Sequence, residues 1–112
     1  MYSELIVARM AAPSAESVAE LFGAFDETEM PHRMGTRRRQ LFHYQGLYFH
    51  LQDFDDDQGG ETIEAAKTDP KFVKISRDLR PYISAYDPET WRSPKDAMAA
   101  RFYHWTAAAN VR

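Results

Sequence analysis

The sequence predicts an α+β chain of ferredoxin-like order, β-α-β-β-α-β, with four antiparallel strands and both helices on one face of the sheet. Three observations carry that expectation. The stretch from Met34 to Asp53 reads as two aromatic-rich strands around a two-residue Gln45-Gly46 turn. A segment with apolar residues at helical spacing lies on each side of that hairpin. A continuous apolar run opens the chain, and an aromatic run closes it.

Tyr2 to Met10 reads as the first strand, and its run Leu5-Ile6-Val7-Ala8 implies burial on both faces. Ala11-Ala12-Pro13-Ser14 breaks it, with Ser14 as the N-cap of a helix that ends near Asp26. Val18, Leu21, Phe22 and Phe25 supply the apolar face of that helix. Glu27 to Met34, with Pro31, is a loop into the hairpin. Beyond the hairpin come an acidic loop at Asp53 to Asp57 and a short helix over Glu61 to Lys67. Asp69-Pro70 starts the second main helix, an N-cap aspartate before a first-turn proline. Phe72, Ile75, Leu79 and Ile83 form its stripe, and Pro81 weakens or ends it. Ser84 to Asp96 is irregular, and Ala99 to Thr106 is the last strand.

The totals set limits on function. A chain of 112 residues with 44% hydrophobic content makes one globular domain, residues 1–112. The 13% aromatic content suits a ring-lined cavity as well as a core, and a net charge of −3 argues against nucleic acid or an anionic membrane. The chain has no cysteine, which excludes disulfides, thiolate metal sites and a Cys nucleophile and agrees with a cytoplasmic location. The first ten residues, with Glu4 and Arg9, resemble neither a signal peptide nor a membrane span.

The hairpin turn sets a register. With Tyr44 opposite Leu47, His43 faces Tyr48, Leu41 faces His50 and Arg39 faces Gln52. One face then carries Arg37, Arg39, Leu41, His43, Tyr48, His50 and Gln52, a mix of rings and polar groups that suits a small-molecule pocket. The other face carries Arg38, Gln40, Phe42, Tyr44, Leu47, Phe49 and Leu51. Its apolar part is too large for a monomer, so the expectation is a homodimer packed sheet against sheet.

The block Pro31-His32-Arg33-Met34-Gly35-Thr36-Arg37-Arg38-Arg39-Gln40-Leu41-Phe42, then Leu47 to Leu51 and Asp55-Asp56-Asp57, resembles the tetracenomycin-type aromatic polyketide cyclases. Asp69-Pro70-Lys71-Phe72, the Pro81 to Tyr86 region and the closing Arg101 to Thr106 extend the resemblance over nearly the whole chain. It implies a ferredoxin-like dimer with a pocket between sheet and helices in each subunit. It also implies closure of later rings on a partly cyclised poly-β-ketone, with no cofactor and no metal. The family's pocket residues fall here on Asp26, Arg39 and His50. This chain departs at Phe25, where some members carry a histidine before the aspartate, so a histidine there is not essential to its chemistry.

An aldol closure needs loss of an α-proton, a stabilised enolate, a carbonyl within reach and elimination of water. His50 is the natural base, because imidazole titrates near neutral pH. Arg39, on the same face, is expected to hold the enolate or carbonyl oxygen, and Asp26 to orient His50 or neutralise Arg39. Tyr48 and Trp105 are expected to contact the substrate, with Trp91 and Tyr103 as core or pocket wall. A positioned acid or base supplies roughly 10²–10⁴-fold, whereas holding reacting atoms together gives effective molarities of about 10⁵ M or more. Shape and anchoring therefore choose the ring, and His50 accelerates the step.

Other readings compete. The run Arg37-Arg38-Arg39 in an acidic chain reads as ion-paired rather than as a nucleic-acid patch. Asp53 to Asp57 lacks EF-hand spacing, and the four histidines form no ligand-spaced motif. A cofactor-free anthrone-type monooxygenase of the same fold is the rival enzyme. A non-catalytic subunit that steers intermediates within a polyketide synthase complex is the third reading.

Overall fold

The computed structural model describes residues 2–107. Strand β1 (Tyr2–Met10) lies inside the sheet, as its continuous apolar run requires. The hairpin strands β2 (Thr36–Tyr44) and β3 (Leu47–Phe54) pair with each other, and β3 pairs with β1. A short strand, β4 (Ile83–Ala85), closes the other edge against Ala8–Met10 of β1. The order is β2-β3-β1-β4 with all pairs antiparallel, a ferredoxin-like sheet.

Helices α1 (Ala15–Asp26), α2 (Met30–Arg33), α3 (Gly59–Ala66) and α4 (Pro70–Leu79) complete the fold. The core forms where alternate residues of β1 and β3 meet them. Ala8, Met10, Tyr48 and Phe54 share one buried cluster with Val18, Phe22, Ile63 and Ile75. The opposite face of the sheet stays half-buried at Leu5, Val7, Phe49 and Leu51, and Phe42 is 50% exposed.

The expected hairpin register holds: Arg39 pairs with Gln52, Leu41 with His50, His43 with Tyr48 and Tyr44 with Leu47. Gln45 and Gly46 take φ of 46° and 82°, the left-handed pair that a tight I′ turn requires. One shift intervenes. Between Thr36 and Arg38 the register slips, so a bulge at Arg37 breaks its alternation with Arg39. Arg37 turns instead to the exposed Asp55, 2.6 Å away.

The largest correction lies at the end of the chain. Residues 99–106 form no strand. Met98 makes a single bridge to Ile6, and the Ala99 N–H donates to Leu5 O at 2.7 Å. The chain then leaves the sheet, with Phe102, Tyr103 and Trp105 exposed at 96%, 74% and 73%. β4 holds the edge of β1 only at Ala8–Met10, and the chain meets that edge again at Ile6 and Leu5 before it departs, so strand propensity alone does not carry the aromatic run along it. The fourth strand thus comes from Ile83, expected in the helix stripe, and the first two residues of the stretch expected to be irregular.

Smaller differences have local causes. Ser14 does not cap α1, because a 3-10 turn over Ala12–Ser14 runs into the helix and gives Ser14 helical angles. The expected loop at 27–34 contains α2, which buries Met30 and carries Pro31 in its first turn. Asp69 does cap α4, its carboxylate accepting the Lys71 N–H at 2.9 Å. That helix stops at Leu79, and Ile83 belongs to β4.

Gly59 sits against the Phe54 ring, and a Cβ there would overlap that ring, which is 1% exposed. Gly23 has open space around it in an exposed part of α1. Gly59→Ala is therefore expected to destabilise by about 1–3 kcal/mol, and Gly23→Ala to stabilise by about 0.5–1 kcal/mol. Chemical denaturation of the two variants checks both signs.

Candidate functional site

Between the sheet and the helices lies a cavity of about 560 Å³. Ile6 of β1 and Tyr48, His50 and Gln52 of β3 form its floor. Phe22 and Phe25 of α1, Ile75 and Leu79 of α4, and Trp91 form apolar walls. Lys67, Arg80 and Arg92 also line the cavity, and Lys67 pairs with Glu64 at 2.9 Å.

Of the sequence-predicted residues, Arg39 and His50 line this cavity, and Asp26, which is not part of the lining, bonds Arg39. Arg39 donates from Nε to both Asp26 oxygens at 3.0 Å and from Nη2 to Asp26 Oδ1 at 2.7 Å. Its Nη1 lies 2.8 Å from His50 Nε2 and donates to Gln52 Oε1 at 3.1 Å. The guanidinium carbon stands over the rings of Phe22 and Phe25, 4.9 and 5.6 Å from their centroids. Asp26 ends α1, where the helix dipole disfavours a carboxylate, and the bidentate Arg39 offsets that cost.

These contacts decide the state of His50. A guanidinium has only donors, so the ring nitrogen facing it is the acceptor and the imidazole proton sits on Nδ1. Burial, and then the nearby Arg39 charge, push the His50 imidazole down to about 3. Its ring is neutral at ordinary pH, with its basic lone pair already engaged. The expected base is thus held as a hydrogen-bond donor. Arg39, expected to grip substrate, commits all but one Nη2 hydrogen to Asp26, His50 and Gln52. Burial also holds the Tyr48 phenol above its usual range, so that hydroxyl stays protonated.

The substrate contacts divide. Tyr48 lines the cavity as expected. Trp105 does not, because the terminal segment leaves the sheet; Trp91 lines the wall. Gln52 was not singled out as functional in the sequence, although the register placing it opposite Arg39 carried the signal. His43 is bonded to Met10 O at 3.0 Å, and His32 and His104 are exposed. The arginine run is ion-paired as expected: Arg37 to Asp55, Arg38 to Asp53 and Arg39 to Asp26. Among the described residues no three His, Asp or Glu side chains converge on one point, and no helix is long and apolar enough to cross a membrane.

A ferredoxin-like sheet roofed by helices, with a ring-walled cavity and a few convergent polar groups, defines a small-molecule-binding α+β protein. The chain belongs to the polyketide synthesis cyclase family, whose profile matches residues 2–106. It is 44% identical over 105 residues to the polyketide synthase CurG of Streptomyces cyaneus, covering 94% of this chain and 97% of that one. It is 40% identical over 106 residues to tetracenomycin F2 cyclase of Streptomyces glaucescens, covering 95% of each. The solved structure of that type-II polyketide cyclase superposes with a TM-score of 0.87, over 96% of this chain and all of that one, at 38% identity. An uncharacterised protein of Streptomyces coelicolor is 48% identical over 106 residues, 94% of this chain and 95% of that one.

The neutral His50 fixes a pH dependence. Above 6.5 the ring is uncharged in folded and unfolded chains alike, so it contributes no proton linkage. Below that the unfolded chain takes up a proton that the folded one excludes, and stability falls as pH falls from 6.5 toward about 3. The slope approaches about 1.4 kcal/mol per pH unit. His50→Gln is expected to flatten it. Denaturant titrations between about pH 7 and 5, above the carboxylate range, measure the difference.

Proposed function

We propose that the chain is an aromatic polyketide cyclase that closes a ring of a partly cyclised poly-β-ketone by intramolecular aldol addition and dehydration. The observation that carries this reading is the Asp26–Arg39–His50 chain, whose Arg39 and His50 line an aromatic-walled cavity. It occurs in a chain that resembles a tetracenomycin F2 cyclase over nearly its full length.

The reaction asks little of a protein beyond geometry. A poly-β-ketone has acidic α-hydrogens. When one carbon loses its proton, its electron pair attacks a second carbonyl carbon, and the C=O π pair moves to oxygen. That oxygen takes up the proton, so the addition is a net transfer of hydrogen from carbon to oxygen. The hydroxyl then leaves with a neighbouring hydrogen as water, and conjugation drives the loss. Phe22, Phe25 and Trp91 hold flat rings in register, the larger contribution. His50 stabilises charge on oxygen, the smaller one. This chemistry requires no cofactor or metal.

We also place the protein in the cytoplasm as a homodimer through the sheet face of Phe42, Leu47, Phe49 and Leu51, which the helices leave uncovered. A solution mass of one chain at micromolar concentration would refute the dimer.

Anaerobic incubation with an intermediate whose first rings are closed tests the function. Loss of one water to a single new ring product without oxygen is expected. A requirement for air and a gain of oxygen would convert the reading to a monooxygenase. A changed product distribution with no change in single-turnover rate would leave a steering subunit. His50→Ala is expected to slow turnover about 10²-fold and to keep the ring choice.

A further inference from the structure

Two buried side chains on the cavity floor each use one polar end on Arg39 and leave the other end free. His50 is 6% exposed and Gln52 3% exposed, and both line the cavity. His50 Nε2 and Gln52 Oε1 both face Arg39 Nη1, at 2.8 and 3.1 Å. The opposite ends, His50 Nδ1 and Gln52 Nε2, make no hydrogen bond among the described residues, and neither is fully buried: both atoms keep some accessible surface. Neither orientation is arbitrary. Turning the Gln52 amide over, or moving the imidazole proton to Nε2, would set N–H against N–H at the same guanidinium.

Donors that lack a protein acceptor on residues lining a cavity are open to a ligand oxygen, which supplies the acceptor the protein does not. His50 and Gln52 are two residues apart on β3, so they project from the same face of the strand. The Tyr48 hydroxyl follows on that face. Three neutral donors thus stand in a row, and among the described residues none of them is engaged with an acceptor.

We propose that His50 Nδ1–H and Gln52 Nε2–H form a two-donor site for a carbonyl or enolate oxygen of a β-dicarbonyl or hydroxyaryl ketone, with Arg39 as the residue that positions both. This rests on the cyclase reading for its substrate, though not for its geometry. Arg39 acts through its neighbours: it fixes the His50 tautomer and the Gln52 amide orientation while its charge is taken up by Asp26. In the aldol step the oxygen bound at the two donors is the one that receives the C=O π pair. The donors stabilise it without giving up their protons, and the α-hydrogen ends on that oxygen before it leaves as water.

Two measurements test the site. Nitrogen NMR of the whole protein should show His50 protonated at Nδ1 and bare at Nε2, with no titration between about pH 5 and 8. An Nε2–H tautomer, or a charge change in that range, overturns the proposal. The second probe is dihydroxyanthraquinone, with anthracene as a ligand of like shape and no oxygen. Gln52→Glu keeps an acceptor for Arg39 and turns the free donor into an acceptor. It should weaken the quinone about tenfold or more and leave anthracene unchanged. Equal weakening of both ligands, or unchanged quinone binding, overturns the proposal. Quinone binding through both donors by a protein that turns over no polyketide would sink the cyclase reading and leave the two-donor site standing.

Discussion

The Arg39 guanidinium is the contact on which the site depends. It ties the end of α1 to the middle of β3 through Asp26, His50 and Gln52, and it packs against Phe22 and Phe25. A cation whose side chain is only 9% exposed is costly to isolate. Removing Asp26 leaves that charge without its counter-ion, and removing Arg39 leaves an imidazole and an amide with no fixed orientation. Its contribution is therefore to definition of state more than to net stability.

The two faces of β3 show how the fold divides its work. One face presents Tyr48, His50 and Gln52 to the helices, and all are buried. The other presents Leu47, Phe49 and Leu51, only half-buried. The polar groups are thus on the inside and the apolar ones on the outer face, the reverse of an ordinary half-solvated strand. This inversion is tolerable because Arg39 satisfies one end of His50 and one end of Gln52, and all three residues line the cavity.

Much of this was legible in the sequence. Gly46 and the period of two fixed the hairpin pairing, and the pairing alone set Arg39 beside Gln52 and near His50. Asp69-Pro70 announced α4 through local chemistry. The choice of Asp26 came from family resemblance, because a helix-end aspartate carries no local mark of function. The last strand was not legible. An aromatic run has strand propensity wherever it stands, but which segment pairs with the edge of β1 is settled by tertiary contacts, and at Ala8–Met10 it is Ile83–Ala85 that does so. Trp105 was misplaced for the same reason. The charge state of His50 was equally out of reach, since it follows from burial and from which nitrogen meets the guanidinium.

The Gln45-Gly46 turn sits at the root of a ladder that has no irregularity until Arg37. Between Gly46 and Arg39 the chain therefore acts as a counter with a step of one residue. Losing or gaining a residue there would carry Arg38 or Gln40 into the cavity and send Arg39 to the outer face. Beyond the bulge, at Asp55 to Gln58, the counting has already ended. Length change among descendants of this chain has room in that acidic loop and none in the seven positions before the turn.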